Sequence, residues 1–278
     1  MNRDVNAGTG GGASAGAGAG RSAGASAGMS AEGGAGRSAG ASAGMSAKAG
    51  EDSGAGPSAS VIEKIRQHKV VAILRGLHAD DALRVTEALL AGGITLVEIP
   101  FNQRGAAPGH DAPAVIRLLK ERFGGSLCIG AGTALTAGQV DLAAAAGAEF
   151  ILSPGTAAAV ITRTKEHGLV SVPGAATASE MAEAYRCGAD IVKLFPAGDL
   201  GIGYMKAVLA PLNHIPVMAV GGVDDSNLQE WLQAGACSVG IGARLVREVW
   251  VKERRYDELT ALAAQYVSRA VQGGKTGS

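Results

Sequence analysis

The sequence predicts a single (β/α)8 barrel behind a low-complexity N-terminal tail, and three observations carry that expectation. Eight short apolar runs follow one another between residues 70 and 242, amphipathic helical patterns fill the gaps between them, and the runs begin about every 25 residues. Near-continuous apolar strands joined by helices pair in parallel with both faces covered, and eight such units in about 200 residues match the count that closes a barrel. The rival is an open doubly wound sheet, but no GxGxxG follows the first run.

The tail is residues 1–58. It holds 42 Gly, Ala or Ser and repeats GRSAGASAGMSA at 20–31 and 36–47. With almost nothing apolar to bury, ordering it would cost roughly 1–2 kcal/mol of backbone entropy per residue, so it is expected to be a disordered appendage. Residues 59–278 form the barrel domain in this reading.

Along that domain a first helix is expected from a Ser60 cap through VIEKIRQHK. The strand-like runs are 70–74, 95–101, 126–132, 150–154, 169–174, 191–195, 216–221 and 238–242. Helical patterns such as DDALRVTEALLAGG, APAVIRLLKERF, TAGQVDLAAAAG, TAAAVITRTKEHG, ASEMAEAYRCG and DSNLQEWLQAGA lie between them. Several open on Ser, Thr or Asp and close on Gly, the chemistry of caps.

Composition narrows the function. Lys plus Arg and Asp plus Glu both number 25, so no basic excess is available to neutralise phosphates along a nucleic acid. No apolar run is long enough to span a bilayer and no signal peptide is visible, which makes the cytoplasm the default location. The three cysteines, Cys128, Cys187 and Cys237, are far apart and odd in number, so no disulfide framework is expected. The five histidines show no HxH or HExxH spacing, and no metal or other cofactor is expected.

In a barrel the chemistry sits where strands end, so the informative side chains are the polar ones there. Arg75 follows the first run, Glu98 lies inside the second, Thr133 ends the third, and Lys193 is the middle of IVKLF. Strand alternation puts Lys193 on the face of Phe195, opposite Val192 and Leu194. An ammonium on a strand covered on both faces loses several kcal/mol unless something compensates. Such a lysine is either half of a structural ion pair with Glu98 or an amine whose pKa is lowered by desolvation until it can attack a carbonyl. The glycine runs GGV at 221–223 and GIGAR at 240–244 follow the seventh and eighth runs and are expected to open helices there. Together with a helix beginning near Arg244, they would form the phosphate site that barrels often carry at those positions. Each run taken alone is equally a tight turn. Gly130, Gly132, Pro154-Gly155 and Pro173-Gly174 leave room at the mouth, as packing would also require.

The series VVAILRG, GGITLVEIPFN, IGAGTALT, AEFILSPG, VPGAATASE, DIVKLFPAG, AVGGV and VGIGARLV resembles, in order and over residues 61–272, the class I aldolases that cleave 2-keto-3-deoxy-6-phosphogluconate (KDPG), including those that also cleave 4-hydroxy-2-oxoglutarate (KHG). The resemblance implies Lys193 as the Schiff-base residue, Glu98 as the acid/base, and Thr133 at the pyruvyl carboxylate with Arg75 beside it. Phe195, Pro154, Gly174 and Asn102 would line the substrate, and Gly221, Gly222, Gly242 and Ala243 would present amides to a phosphate. It also implies a homotrimer acting on a small keto acid without a metal.

Two departures bear on the substrate. Asn102 stands where the phosphogluconate enzymes carry an arginine, and ILRG with VEIPxN is closer to the 2-dehydro-3-deoxy-6-phosphogalactonate group. Ala243 stands where many relatives place a serine, which gives an unphosphorylated substrate some weight. A barrel that binds a phosphorylated ligand without cleaving it is the alternative of another class.

Overall fold

The computed structural model describes residues 57–104 and 111–273; the tail expected to be disordered lies outside them as far as residue 56. Nine strands form one sheet: β1 (Val70–Ile73), β2 (Leu96–Pro100), β3 (Cys128–Gly132), β4 (Phe150–Leu152), β5 (Val170–Val172), β6 (Gly174–Ala175), β7 (Val192–Leu194), β8 (Val217–Val220) and β9 (Ser238–Ile241). Every pairing is parallel, in the order β5-β4-β3-β2-β1-β9-β8-β7-β6. The two ends of that order, β5 and β6, are halves of the fifth expected run. Pro173, which has no N–H to give a ladder, divides them. The first half pairs with β4 and the second with β7, and Lys193 N donates to Pro173 O at 2.8 Å. The ring therefore closes through the chain itself, and eight staves make the expected barrel.

Alternation along the staves divides the core in two. Val71, Ile73, Leu96, Phe150, Val172 and Met218 point inward with their counterparts on the other staves, whereas Ala72, Val97, Ile129, Val192 and Leu194 point outward under the helices. Helix Pro57–His68 sends Val61 and Ile65, one helical turn apart, into the inner cluster, so it plugs the interior from the end where the strands begin. Burial contributes roughly 1.5–3 kcal/mol for each such side chain.

The outer layer follows the predicted pattern with local corrections. Asp111, Thr136 and Thr177 cap helices Ala112–Phe123, Ala137–Ala145 and Ala178–Arg186, the last through a capping box with Glu180. The first helix begins at Pro57 rather than after a Ser60 cap, since proline suits a first turn that has no use for its missing N–H. Thr156 does not cap: its hydroxyl donates to Gly174 O at 2.9 Å, and helix Ala158–Glu166 starts after Ala157.

A larger correction concerns the two glycine turns, neither of which opens a helix. Past β8, Asp224 Oδ1 accepts from Ser226 N at 2.9 Å and Oγ at 2.6 Å. That local turn competes with helix initiation, and helix Leu228–Gln233 begins only afterwards. Past β9, Leu245 N and Val246 N both donate to Gly242 O at 2.9 Å, a single turn before the short helix Glu248–Lys252. No helix starts near Arg244, so the helix N-terminus expected at this glycine turn is not there.

Candidate active site

Inward parity carries Glu98 on β2 and Lys193 on β7 into the barrel, where they are 2 % and 6 % exposed. In the ring order three staves separate them in either direction, so they face each other across the interior. No ion pair within 4 Å joins them: Lys193 makes no salt bridge with any described residue, and Glu98 Oε2 is buried without a hydrogen-bond partner. The tight structural pair that the sequence left open is not what this fold builds. Two buried ionisable groups instead look onto a shared space.

Their surroundings push each toward its neutral form. Burial raises the Glu98 pKa above the usual carboxylate range, against the smaller opposing pull of Lys193 and Arg75. Burial likewise lowers the Lys193 pKa below that of an ordinary lysine; Glu98 partly offsets this and Arg75 adds to it. Removal from water disfavours the charged state of both, the condition for an amine with an available lone pair and a carboxyl able to hold or release a proton near neutrality. The Lys193 Nζ lies 4.9 Å from the centre of the Phe195 ring.

The space between them is a cavity of about 790 Å³. It is lined by Lys193, Glu98, Phe195, Arg75, Thr133 and Pro154, and toward one side by Gly221, Gly222, Gly242, Ala243 and Arg244. Small inward residues keep it open. A Cβ at Gly132 would overlap the Glu98 carboxyl, and one at Gly130 would overlap the Phe150 ring. Gly222, at φ +78°, has its Cα side pressed against Gly198, whose N donates to Gly221 O at 2.7 Å. Packing thus explains part of that glycine pair. Yet the amides of Gly222, Gly242, Ala243 and Arg244 donate to no acceptor among the described residues and remain available to a ligand.

Two expected lining residues stand outside this cavity. Gly174 is a wall residue in register with Lys193, and a Cβ there would strike the Pro154 backbone, so close packing accounts for it. Asn102 accepts from Arg104 N at 3.1 Å and lines an adjoining cavity of about 690 Å³, which shares Arg75 and Thr133 with the first. Lys206, exposed on helix Ile202–Leu209, is not among the lining residues.

Set beside known proteins, this architecture has close counterparts. The family model for KDPG and KHG aldolase matches residues 61–262. The chain belongs to the KDPG and KHG aldolase family. The aldolase is 37 % identical over 198 residues to the 2-dehydro-3-deoxy-6-phosphogalactonate aldolase of Escherichia coli (strain K12), covering 71 % of this chain and 94 % of that one. It is 31 % identical over 207 residues to the 2-dehydro-3-deoxy-phosphogluconate aldolase of Treponema pallidum (strain Nichols), covering 74 % and 95 %. A solved structure of KDPG aldolase from Legionella pneumophila, with pyruvate captured at low pH as a covalent carbinolamine intermediate, superposes with a TM-score of 0.65 at 31 % identity, covering 71 % and 93 %.

Three residues of the aldolase stand at the site by geometry without a sequence signal that points to it. The sequence predicts a helix start near Arg244, whereas its side chain lines the cavity beside the open amides. Gln103 and Gln139 carry no motif; only folding brings the loops after β2 and β3 together, with Gln139 Nε2 donating to Gln103 Oε1 at 3.2 Å and Gln103 Nε2 to Thr133 O at 2.7 Å. Cys128, inward near the base of the barrel, is pushed up to about 12 by burial and is no candidate nucleophile. Among the described residues no group of three or more His, Cys, Asp or Glu is placed to hold a metal, and no helix is long and apolar enough to cross a membrane.

Proposed function

We propose that this aldolase cleaves KDPG to pyruvate and glyceraldehyde 3-phosphate through a Schiff base on Lys193, and KHG to pyruvate and glyoxylate at the same site. The observation that carries the reading is a buried, unpaired amine facing a buried, unpaired carboxyl across a cavity with open amides and Arg244 to one side. The pyruvate carbinolamine in the Legionella pneumophila relative supports covalent chemistry at the corresponding centre.

The neutral Lys193 amine adds to the C2 carbonyl, and the carbinolamine takes up a proton from solvent and loses water to give the protonated imine, the proton being returned when the imine is hydrolysed. Glu98, as carboxylate, takes the C4 hydroxyl proton directly or through a water. The C3–C4 bond breaks, its electron pair passes to the iminium nitrogen, and the aldehyde leaves. The resulting enamine is protonated at C3 by the Glu98 carboxylic acid, and water hydrolyses the imine to release pyruvate and restore the amine. Arg75 and Thr133 orient the keto acid's carboxylate; Phe195 and Pro154 flank the carbon chain. The phosphate is held by the amides around Gly221, Gly222, Gly242 and Ala243, with the Arg244 guanidinium supplying the charge that the absent serine could not.

A second reading has a specific observation behind it: the 37 % identical Escherichia coli relative acts on the galactonate epimer, and Asn102 belongs with that group. Both epimers yield the same products, so kcat/KM for each, with KHG as the third substrate, decides preference. Borohydride trapping with pyruvate followed by peptide mapping tests the mechanism. An adduct on Lys193 is expected; none, with phosphate esters still raising the melting temperature, would leave a binding barrel. The reading includes a homotrimer, as the family resemblance implies, in the cytoplasm, the default location for such a sequence, and light scattering on the full chain checks the assembly.

A further inference from the structure

Among the described residues that line the cavity, Thr133 is the one with a side chain beyond hydrogen whose backbone is left-handed, at φ +54°. It sits between two sheet bonds of opposite direction: Gly132 O accepts from Phe101 N at 2.8 Å on the β2 side, and Ala134 N donates to Leu152 O at 3.1 Å on the β4 side. A β-branched residue adopts that conformation only when its surroundings hold it there. The holding group is a chain of two amides. Leu135 N donates to Gln139 Oε1 at 2.7 Å, Gln139 Nε2 donates to Gln103 Oε1 at 3.2 Å, and Gln103 Nε2 donates to Thr133 O at 2.7 Å.

The direction of this chain is determined, not arbitrary. A backbone N–H can only donate, so Gln139 must turn its oxygen to Leu135, its NH2 to Gln103, and Gln103 in turn its NH2 to the Thr133 carbonyl. Gln139 is itself anchored, since its backbone N–H donates to the capping Thr136 Oγ1 at 3.2 Å. The loop after β2 is thereby clamped over the loop after β3, immediately beside Gly132 and the Glu98 carboxyl that overlies it.

We infer that Gln103 and Gln139 are positioning residues: their relay holds Thr133 left-handed so that its hydroxyl faces the carboxylate end of the bound keto acid. The inference rests on the proposed function, because it presumes a pyruvyl carboxylate at Thr133. Gln103 touches no reacting atom, and its effect passes wholly through Thr133.

The test is a double-mutant cycle read by the pyruvate concentration that half-saturates borohydride trapping, alongside KM and kcat for cleavage. Gln103→Ala is expected to raise the half-saturating pyruvate concentration and KM about five- to tenfold, with kcat within about twofold. Gln103→Glu keeps the bond from Gln139 but turns an oxygen toward the Thr133 carbonyl, so it is expected to bind pyruvate at least as poorly as the alanine variant. In a Thr133→Ala background Gln103→Ala should change nothing further. The inference is overturned if Gln103→Ala leaves the wild-type affinity intact, if its effect persists undiminished in the Thr133→Ala background, or if Gln103→Glu binds normally. Absence of any adduct in the wild-type enzyme would instead overturn the Schiff-base reading, and this inference with it.

Discussion

The Glu98 carboxyl lies over the bare Cα of Gly132, two residues that come from neighbouring strands β2 and β3. A Cβ at 132 would occupy the place of Glu98 Oε1, so the glycine is part of how the carboxyl reaches its position opposite Lys193. Neighbouring Gly130 plays a different part, since what a methyl there would meet is the buried Phe150 ring.

Gly132→Ala should therefore separate function from fold. The displaced group is the end of a flexible side chain, so the protein is expected to fold with a melting temperature close to wild type while kcat falls about 10²-fold or more as the acid/base is moved. Gly130→Ala is the contrasting variant: a rigid ring must give way, at a cost of about 1–3 kcal/mol. Thermal unfolding and steady-state kinetics on both variants check the distinction; equal melting temperatures for the pair would contradict it.

Lys193→Met removes the covalent site and a poorly solvated charge together. Activity should fall at least about 10³-fold, and no borohydride adduct should form, with Lys206 unmodified in both proteins. Stability should move the other way. Because the folded pKa of Lys193 is lowered, the unfolded chain binds more protons between that value and the ordinary 10.5. Wild-type stability thus climbs with pH across that window. The melting temperature of Lys193→Met is expected to exceed wild type at neutral pH, and the gap to close as pH approaches 10.5.

Glu98→Gln should cost about 10²- to 10⁴-fold in kcat while still allowing pyruvate to be trapped. The negative charge of Glu98 holds the Lys193 pKa up, so its removal lets that pKa fall further, and the pH profile of trapping should shift to lower pH. The Glu98 pKa is raised by burial, so wild-type stability is favoured below the ordinary carboxylate value of 4.5 and lost as pH rises through the folded value. The glutamine variant should gain on wild type over that interval; a constant difference across pH would show that Glu98 titrates normally.

Arg244→Gln addresses the phosphate end. Loss of a charged partner to a phosphate should raise KM for phosphorylated substrates about 10- to 100-fold, leave KHG cleavage within about twofold, and be restored in part by Arg244→Lys. An equal loss on both substrate types would place Arg244 in the general fabric of the site.

Much of this site was legible in the chain because strands impose a period of two. Once IVKLF and TLVEIPF are read as barrel staves, the parity that buries Leu96 and Ile191 also buries Glu98 and Lys193, and it assigns Arg75, Pro154 and Gly242 to the same inner side. Charges in such places are rare enough in apolar runs to stand out as chemistry. Loops impose no comparable period. The turns after β8 and β9 look like helix starts in the sequence because such glycine runs suit both outcomes, and the choice falls to the Asp224 side chain and to the Gly242 carbonyl.

The sequence by itself determined the eight-unit barrel, the inward faces of its staves and the two ionisable groups placed on them, since each follows from local periodicity and from the cost of burying charge. Only the tertiary structure decided that Glu98 and Lys193 stand apart across a cavity instead of pairing, that Pro173 splits one stave while the ring still closes, and that Gln103, Gln139 and Thr133 meet. Those outcomes depend on which staves become opposite and which loops become adjacent when the sheet closes, distances that no local pattern encodes.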